Sequence, residues 1–454
     1  MPNADKPTRT TPTSAVPSGR WSRLARLGSL ASGVAGGMLA EGARQLAQGK
    51  RPRLSDMLLT PANARRVADQ LAQLRGAAMK VGQLLSMDAG DLLPPELGEI
   101  LARLRSDARA MPKSQVMAVL DANWGPHWQR QFAQFSFTPI AAASIGQVHM
   151  AHTHDGRRLA IKIQYPGVRE SIDSDVDNVA TLLRLSNLLP KELDIQPLLQ
   201  DAKRQLHDEA DYLREGAYLQ RYADLLADAP DFLLPALQPD LTTVSVLAMS
   251  FVGGVEVESL VQAPQAERDR VAGLLIHLLM RELFEFRLIQ TDPNFANYRY
   301  DPSTQQLILL DFGATRPYPA GLVKGFRQLM AGAIAQDRSA MRAAAQAIGY
   351  FNDRTQARHQ EAVLDLFTLA TEPLRCEGDY DFGQSDLPRR IRDAGMALGL
   401  DRDFWHVPPA DALFLHRKLG GLYLLAARLK ARVNVREQVQ EFVTPKRKSK
   451  ARVD

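Results

Sequence analysis

The sequence predicts an α+β fold, a strand-rich block set between helical segments, and three observations predict it. Residues 147–164 alternate apolar and polar on either side of Asp155-Gly156, the pattern of a β-hairpin, with Lys162 in the returning strand. A second apolar strand at 244–252 runs into Gly253-Gly254. Helical periodicity flanks this strand-rich block, at 61–106 before it and at 264–288 and 320–435 after it. A chain of 454 residues, 45% apolar and 24% charged, is globular and exceeds one small domain. The single Cys376 excludes an intramolecular disulfide framework. A net charge of +5 permits attraction to anionic lipid or phosphate and gives no sign of a nucleic-acid partner.

Residues 1–20 are rich in Thr, Ser and Pro and are expected to be a disordered leader. No acidic residue stands between Asp5 and Glu41, whereas Lys6, Arg9, Arg20, Arg23 and Arg26 do, which fits either a bacterial basic leader or a mitochondrial transit peptide. Across 21–50, Leu24, Leu27, Ala31, Val34 and Met38 form an apolar helical stripe, and Gly33 and Gly37 share a face that permits close helix approach. The uncharged run 27–40 has 14 residues, short of the roughly 20 that span a bilayer, so a peripheral membrane helix able to pair two copies is expected. A helix packed on the protein's own surface is the alternative. In the next helix Leu71, Leu74, Ala78, Val81 and Leu85 make a seam, and Lys80 and Gln83 point to one side of it.

Chemistry concentrates in two short stretches. Asp292 is followed five residues later by Asn297, and a short apolar strand then leads to Asp311-Phe312-Gly313. That is the layout of a protein-kinase-type phosphoryl-transfer site: one Asp faces the attacking hydroxyl, while the Asn and the second Asp hold Mg2+. Upstream, Leu159-Ala160-Ile161-Lys162 has the form of the kinase strand whose lysine reaches the phosphates. Ala141-Ala142-Ala143-Ser144 stands where a glycine-rich phosphate loop is expected, and alanine gives up the φ > 0 freedom of glycine, so a stiffer loop is predicted. Leu206, Ala210, Leu213 and Ala217 predict one helix carrying Glu209, Asp211 and Glu215, with the latter two on one face. Either Glu215 or Glu170 could pair with Lys162, and 167–200 reads as a helical insert. Met249, Ser250, Phe251 and Val252 fall where a hinge would hold adenine through backbone groups.

In order along the chain, Lys80-Val81-Gly82-Gln83, the alanines at 141–143, Lys162, Glu209-Ala210-Asp211 and the Asp292/Asn297/Asp311 set resemble the ABC1/ADCK/UbiB atypical kinase family, closest to its Coq8-like members of coenzyme Q biosynthesis. The resemblance covers roughly 20–435 and implies an atypical protein-kinase-like two-lobed fold with a helical extension carrying the KxGQ motif at Lys80, Gly82 and Gln83. It implies a KxGQ extension over 51–118, an N-lobe with a helical insert over 119–252, a helical C-lobe over 253–435 and a basic tail over 436–454. ATP and Mg2+ are implied, with Lys162, Glu215 and Asp292 catalytic and Ala141, Ala142, Ala143, Ser144, Lys162, Met249, Ser250, Phe251 and Val252 on the nucleotide. Asn297 and Asp311 would hold metal, and Lys80, Gly82, Gln83, Glu209 and Asp211 would regulate, the last two by contacting the KxGQ helix or metal. The implied role is support of ubiquinone biosynthesis at a membrane, by ATP hydrolysis that handles lipophilic quinone precursors. Implied partners are anionic lipid, quinone precursors, ubiquinone-biosynthesis enzymes and a second copy of the chain through the Gly33/Gly37 helix. Alternatives are a small-molecule or protein kinase, or a nucleotide-bound scaffold. The implied place is the cytoplasmic side of a bacterial inner membrane, or the matrix side of the mitochondrial one. Ser250 departs from the glutamate common at the family's hinge, and no Ala-Pro-Glu or long activation segment follows Asp311. His416-Arg417-Lys418 with Leu419-Gly420-Gly421 resembles a late family motif and equally fits a basic helix face closing the C-lobe.

Overall fold

The computed structural model describes residues 110–185, 196–399 and 408–444. The leader, the Gly33/Gly37 helix and the KxGQ segment with Lys80, Gly82 and Gln83 lie outside the described residues. The chain divides into two compact units. The first holds the described residues up to Ala217 together with Ala236–Phe251, and the second holds Tyr218–Pro235 and the described residues from Val252 onward.

In the first unit, helix α1 (Lys113–Trp124) precedes strands β1 (Phe132–Phe135), β2 (Ala141–Ala143), β3 (Gly146–Thr153) and β4 (Arg158–Gln164). Helices α2 (Val168–Leu185), α3 (Gln196–Glu209) and α4 (Tyr212–Leu225, which runs on into the second unit) follow. Strand β6 (Val246–Ser250) then completes a sheet of order β1-β3-β4-β6, with β2 also paired to β3. The expected hairpin is β3–β4, with Gly156 at φ 85° in its turn, a conformation glycine adopts without strain. Trp124, Trp128, Phe132, Phe135 and Phe137 stack beneath this sheet against Leu159, Ile161 and Ile163, which anchors α1 to it. α2 and α3 pack together, helical as expected for 167–200, and α3 runs on to Glu209.

The single helix expected across 206–217 is two. The break at Ala210-Asp211 ends α3 and starts α4, where the Asp211 carboxylate accepts the Arg214 N–H at 3.1 Å. Leu213, predicted to lie in a buried seam, is 51% exposed as a result. The strand expected at 244–252 spans only Val246–Ser250.

In the second unit, β5 (Phe232–Leu233), β10 (Gln306–Leu309), β9 (Tyr298–Asp301) and β7 (Val255–Glu256) form a small sheet in that order. Gly254 leads into it at φ 84°, and an added Cβ would lie 2.8 Å from the Tyr300 carbonyl oxygen, so the position requires glycine. Helix α5 (Gln265–Arg281) does not continue to 288 as expected; it unwinds through a π turn at Glu282–Phe286, and β8 (Leu288–Gln290) then pairs with β11 (Thr315–Pro317). Helices α6 (Ala320–Ile334), α7 (Arg338–Ile348), α8 (Ala357–Ala370), α9 (Glu372–Arg375), α10 (Leu387–Gly399) and α11 (Ala410–Leu429) form the helical body. Strands β12 (Tyr380–Asp381) and β13 (Arg432–Val433) pair, and α12 (Val435–Val443) buries Val435, Val439 and Val443. The boundaries expected at 118/119 and 435/436 therefore fall inside α1 and α12, because each helix has an apolar face buried in its own unit.

His416 on α11 stacks on Tyr350 at 10° and shares a hydrogen bond with its hydroxyl. Burial pulls the imidazole pKa down from 6.5 to about 4, so the folded protein holds it neutral. The unfolded chain takes up that proton as pH falls through 6.5, so this group's contribution is complete above pH 6.5 and is lost towards about 4. The loss is up to about 3 kcal/mol. His416→Gln should flatten this part of the stability profile measured by urea unfolding between pH 7 and pH 4; an unchanged slope contradicts it.

Candidate active site

The first unit builds a buried cation. Lys162 on β4 sits between Val148 of β3 and Leu247 of β6, and its ammonium donates to both Glu215 oxygens at 2.8 and 3.0 Å. Glu215 is 1% exposed and Lys162 8%. The break before α4 brings Glu215 to Lys162, so of the two carboxylates left open by the sequence it is Glu215 that pairs. Tyr212, the first residue of α4, lays its ring 5.1 Å from the Lys162 ammonium. The tyrosine went unnoticed in the sequence, although an aromatic directly after the capping aspartate was the available signal. Gly146 admits this packing: a Cβ there would lie 2.3 Å from the Ile163 carbonyl oxygen and 3.1 Å from the Tyr212 hydroxyl.

The alanine segment is strand β2, joined to β3 by a two-residue turn at Ser144-Ile145. Ser144 Oγ donates to Glu209 Oε2 at 2.9 Å, which ties this turn to the end of α3; the alanines expected in a loop lie in a strand instead. Glu209 thus meets the turn, and Asp211 caps α4. Any contact of either with the KxGQ segment lies outside the described residues. At the expected hinge, the Ser250 N–H donates to the Ala236 carbonyl and the Phe251 N–H to that of Arg158. Met249, Ser250 and Phe251 belong to the first unit and Val252 begins the second.

The second unit gathers the acidic set. Asp292 follows β8, and its Oδ2 accepts from Asn297 Nδ2 at 3.2 Å. With that NH2 engaged, the amide oxygen of Asn297 is its atom available to a cation. The Asn297 carbonyl accepts the Leu310 N–H at 3.0 Å, which sets Asp311 beside this turn. Asp311 Oδ1 accepts the Gly313 N–H at 3.1 Å, and Thr291 donates to the Ala314 carbonyl, so both loops are laced together. Asp292 and Asp311 remain partly exposed. Carboxylate and amide oxygens are hard ligands that suit Mg2+, and no cluster of three or more His, Cys, Asp or Glu among the described residues would cage a metal unaided. Such a set fits an ion that keeps waters and shares phosphate oxygens.

A buried polar chain that the sequence did not reveal lies behind Asp292. Glu282 in the π turn accepts from the Tyr222 hydroxyl at 2.7 Å and the Gln290 N–H at 3.3 Å. Lys418 on α11, 2% exposed, donates to Gln290 Oε1 at 3.0 Å and to the Tyr298 hydroxyl. Burial pushes the Glu282 carboxyl above its ordinary range against the pull of Lys418. Burial also lowers the Lys418 ammonium, but Tyr298, Glu282 and Asp292 raise it further, so it stays charged. The basic face read at His416-Arg417-Lys418 is therefore corrected: Lys418 and His416 point into the unit.

The family model for the ABC1 atypical kinase-like domain matches residues 103–345. The atypical kinase COQ8B, mitochondrial, of Rattus norvegicus is 39% identical over 94% of this chain and 81% of its own length. The atypical kinase COQ8, mitochondrial, of Saccharomyces cerevisiae is 37% identical over 94% and 86%. Among solved structures, the Rv3197–erythromycin complex from Mycobacterium tuberculosis is similar with a TM-score of 0.60 and 26% identity, over 82% of this chain and 93% of that one. The chain belongs to the ABC1 atypical kinase-like family and is an enzyme of ATP-dependent phosphoryl transfer.

Removing one partner of the buried Lys162–Glu215 pair strands a charge. Glu215→Leu alone should cost about 3–5 kcal/mol in chemical unfolding, and Lys162→Met with Glu215→Leu should cost less than either single change. A double variant as unstable as the sum of the singles contradicts the pairing.

Proposed function

We propose that the protein is a Mg2+-dependent, ATP-binding atypical kinase or ATPase that supports ubiquinone biosynthesis at a membrane. The observation that carries the reading is the bidentate grip of Glu215 on Lys162, which holds the ammonium in one place. In this reading Lys162 binds the α- and β-phosphates of ATP and Glu215 orients it. Ala141, Ala142, Ala143 and Ser144 edge the phosphates, and Met249, Ser250, Phe251 and Val252 take the adenine. Asn297 and Asp311 would hold Mg2+, which when bound neutralises phosphate charge. Asp292 orients the attacking oxygen and accepts its proton.

Hydrolysis is favoured over protein phosphorylation by one structural fact. From Asp311 the chain turns through β11 and starts α6 at Ala320, leaving no long segment on which a peptide could lie. Lys80, Gly82 and Gln83 are proposed to restrain nucleotide geometry, together with Glu209 and Asp211. Anionic lipid, lipophilic quinone precursors and quinone-biosynthesis enzymes are the proposed partners, and the Gly33/Gly37 helix is the proposed means of pairing two copies. Attachment is proposed to lie in 21–50, on its apolar stripe and uncharged run; no helix among the described residues is long and apolar enough to cross a membrane. The relatives named mitochondrial support the mitochondrial alternative over a bacterial one, and the matrix side of the inner membrane is the proposed face.

Phosphate release from ATP should require Mg2+, rise with anionic liposomes, and fall by about 10²-fold or more in Asp292→Asn and Asp311→Asn. Asp292→Asn should also fail to restore ubiquinone in cells lacking the protein. If it binds nucleotide and restores ubiquinone fully, the protein acts as a nucleotide-bound scaffold instead.

A further inference from the structure

Lys418 is an unusual residue to find in the interior. An ammonium taken out of water is strongly disfavoured unless polar groups replace the lost hydration. The groups replacing it here are not scattered. Gln290 ends β8, two residues before Asp292, and Tyr298 begins β9, directly after Asn297. One side chain, donating to Gln290 Oε1 and the Tyr298 hydroxyl, therefore grips both ends of the 291–297 turn. Its ammonium also lies 5.2 Å from the Tyr298 ring centre.

A second contact of α11 reaches the middle of that turn. Gly421, one helical turn beyond Lys418 on the same face, abuts Pro293: an added Cβ would stand 2.6 Å from the proline Cβ. The helix thus touches the residue before the turn, Pro293 within it and the residue after it. The groups facing Lys418 are Gln290, Tyr298, Glu282 and, by its charge, Asp292.

We infer that Lys418 is a positioning residue for phosphoryl transfer, the buried cation by which α11 holds the Asp292–Asn297 turn in its reactive shape. The inference rests on the assignment of Asp292 and Asn297 to that reaction. Lys418 need touch neither nucleotide nor acceptor. Its loss frees Gln290 and Tyr298, so Asp292 is misplaced, while Asn297 stays anchored through its carbonyl to the Leu310 N–H and the groups proposed to bind adenine and phosphates are unaffected. The effect belongs in kcat, not in KM.

The test compares Lys418→Met, Tyr298→Phe, their double variant, and Lys418→Met with Glu282→Gln. In Mg2+-dependent phosphate release from ATP, Lys418→Met should lower kcat at least about tenfold with KM within about threefold. Tyr298→Phe, which removes only the accepting hydroxyl, should act in the same direction more weakly, and combining it with Lys418→Met should add little. If Lys418 served only to neutralise Glu282, adding Glu282→Gln would restore kcat; the inference requires that it does not. A kcat within about twofold of wild type in folded Lys418→Met, or equal losses in kcat and 1/KM, overturns it. Should Lys418→Met fail to fold, an unchanged kcat in Tyr298→Phe overturns it. Should the wild type release no phosphate, the hydrolysis reading fails but not this one. Hydrogen exchange at the Ala296 and Asn297 amides then decides: faster exchange in the variants supports the brace, and unchanged exchange overturns it.

Discussion

The structure depends most on one buried ion pair, Lys162 with Glu215. An ammonium on a central strand cannot stay out of water without a counter-charge, and the carboxylate must arrive with both oxygens aimed at it. The local architecture of the first unit answers that demand. The chain breaks its helix at Ala210-Asp211, caps the new one with Asp211, and starts it with Tyr212 beside the lysine. Gly146 leaves space for the tyrosine, and Ser144 bonds Glu209 at the end of the preceding helix. Hairpin, alanine strand and both helices are thereby held in one register.

The second unit applies the same physics to a different end. Glu282 and Lys418 are both buried, and Gln290 joins them, giving its N–H to the one and its side-chain oxygen to the other. Charges so placed are weak evidence of stability, since desolvation offsets most of what their attraction contributes. They do impose a single arrangement, because any other leaves a buried charge without its partners. That arrangement orders the strand ends that bracket Asp292 and Asn297. The π turn at Glu282–Phe286 belongs to it, because it carries Glu282 to the Gln290 amide.

Much of this was legible in the residues. The β3–β4 hairpin followed from alternation and an Asp-Gly turn, and the acidic set from the spacing of Asp292, Asn297 and Asp311. What escaped was long-range. A helical period runs on through Ala210 and through Glu282, and neither break shows until tertiary partners compete for the same residues. Lys418 bonds residues 128 and 120 positions away, a distance no local pattern encodes. A signal was nevertheless present: Lys418 falls on the apolar stripe of Leu415, Leu422 and Leu425, all buried, and Glu282 on that of Leu275, Leu278 and Leu279. A charge on an apolar stripe is the mark of a buried polar contact, and reading 416–418 as a basic run hid it.

The role proposed for Lys162, held in place by Glu215, is to bind nucleotide phosphate. Calorimetric titration of ADP into wild type and Lys162→Met, with and without Mg2+, tests it most directly. The account predicts tight binding only for wild type with Mg2+, weakened at least about tenfold by the substitution or by removing the metal. Equal affinity in all four titrations would contradict it.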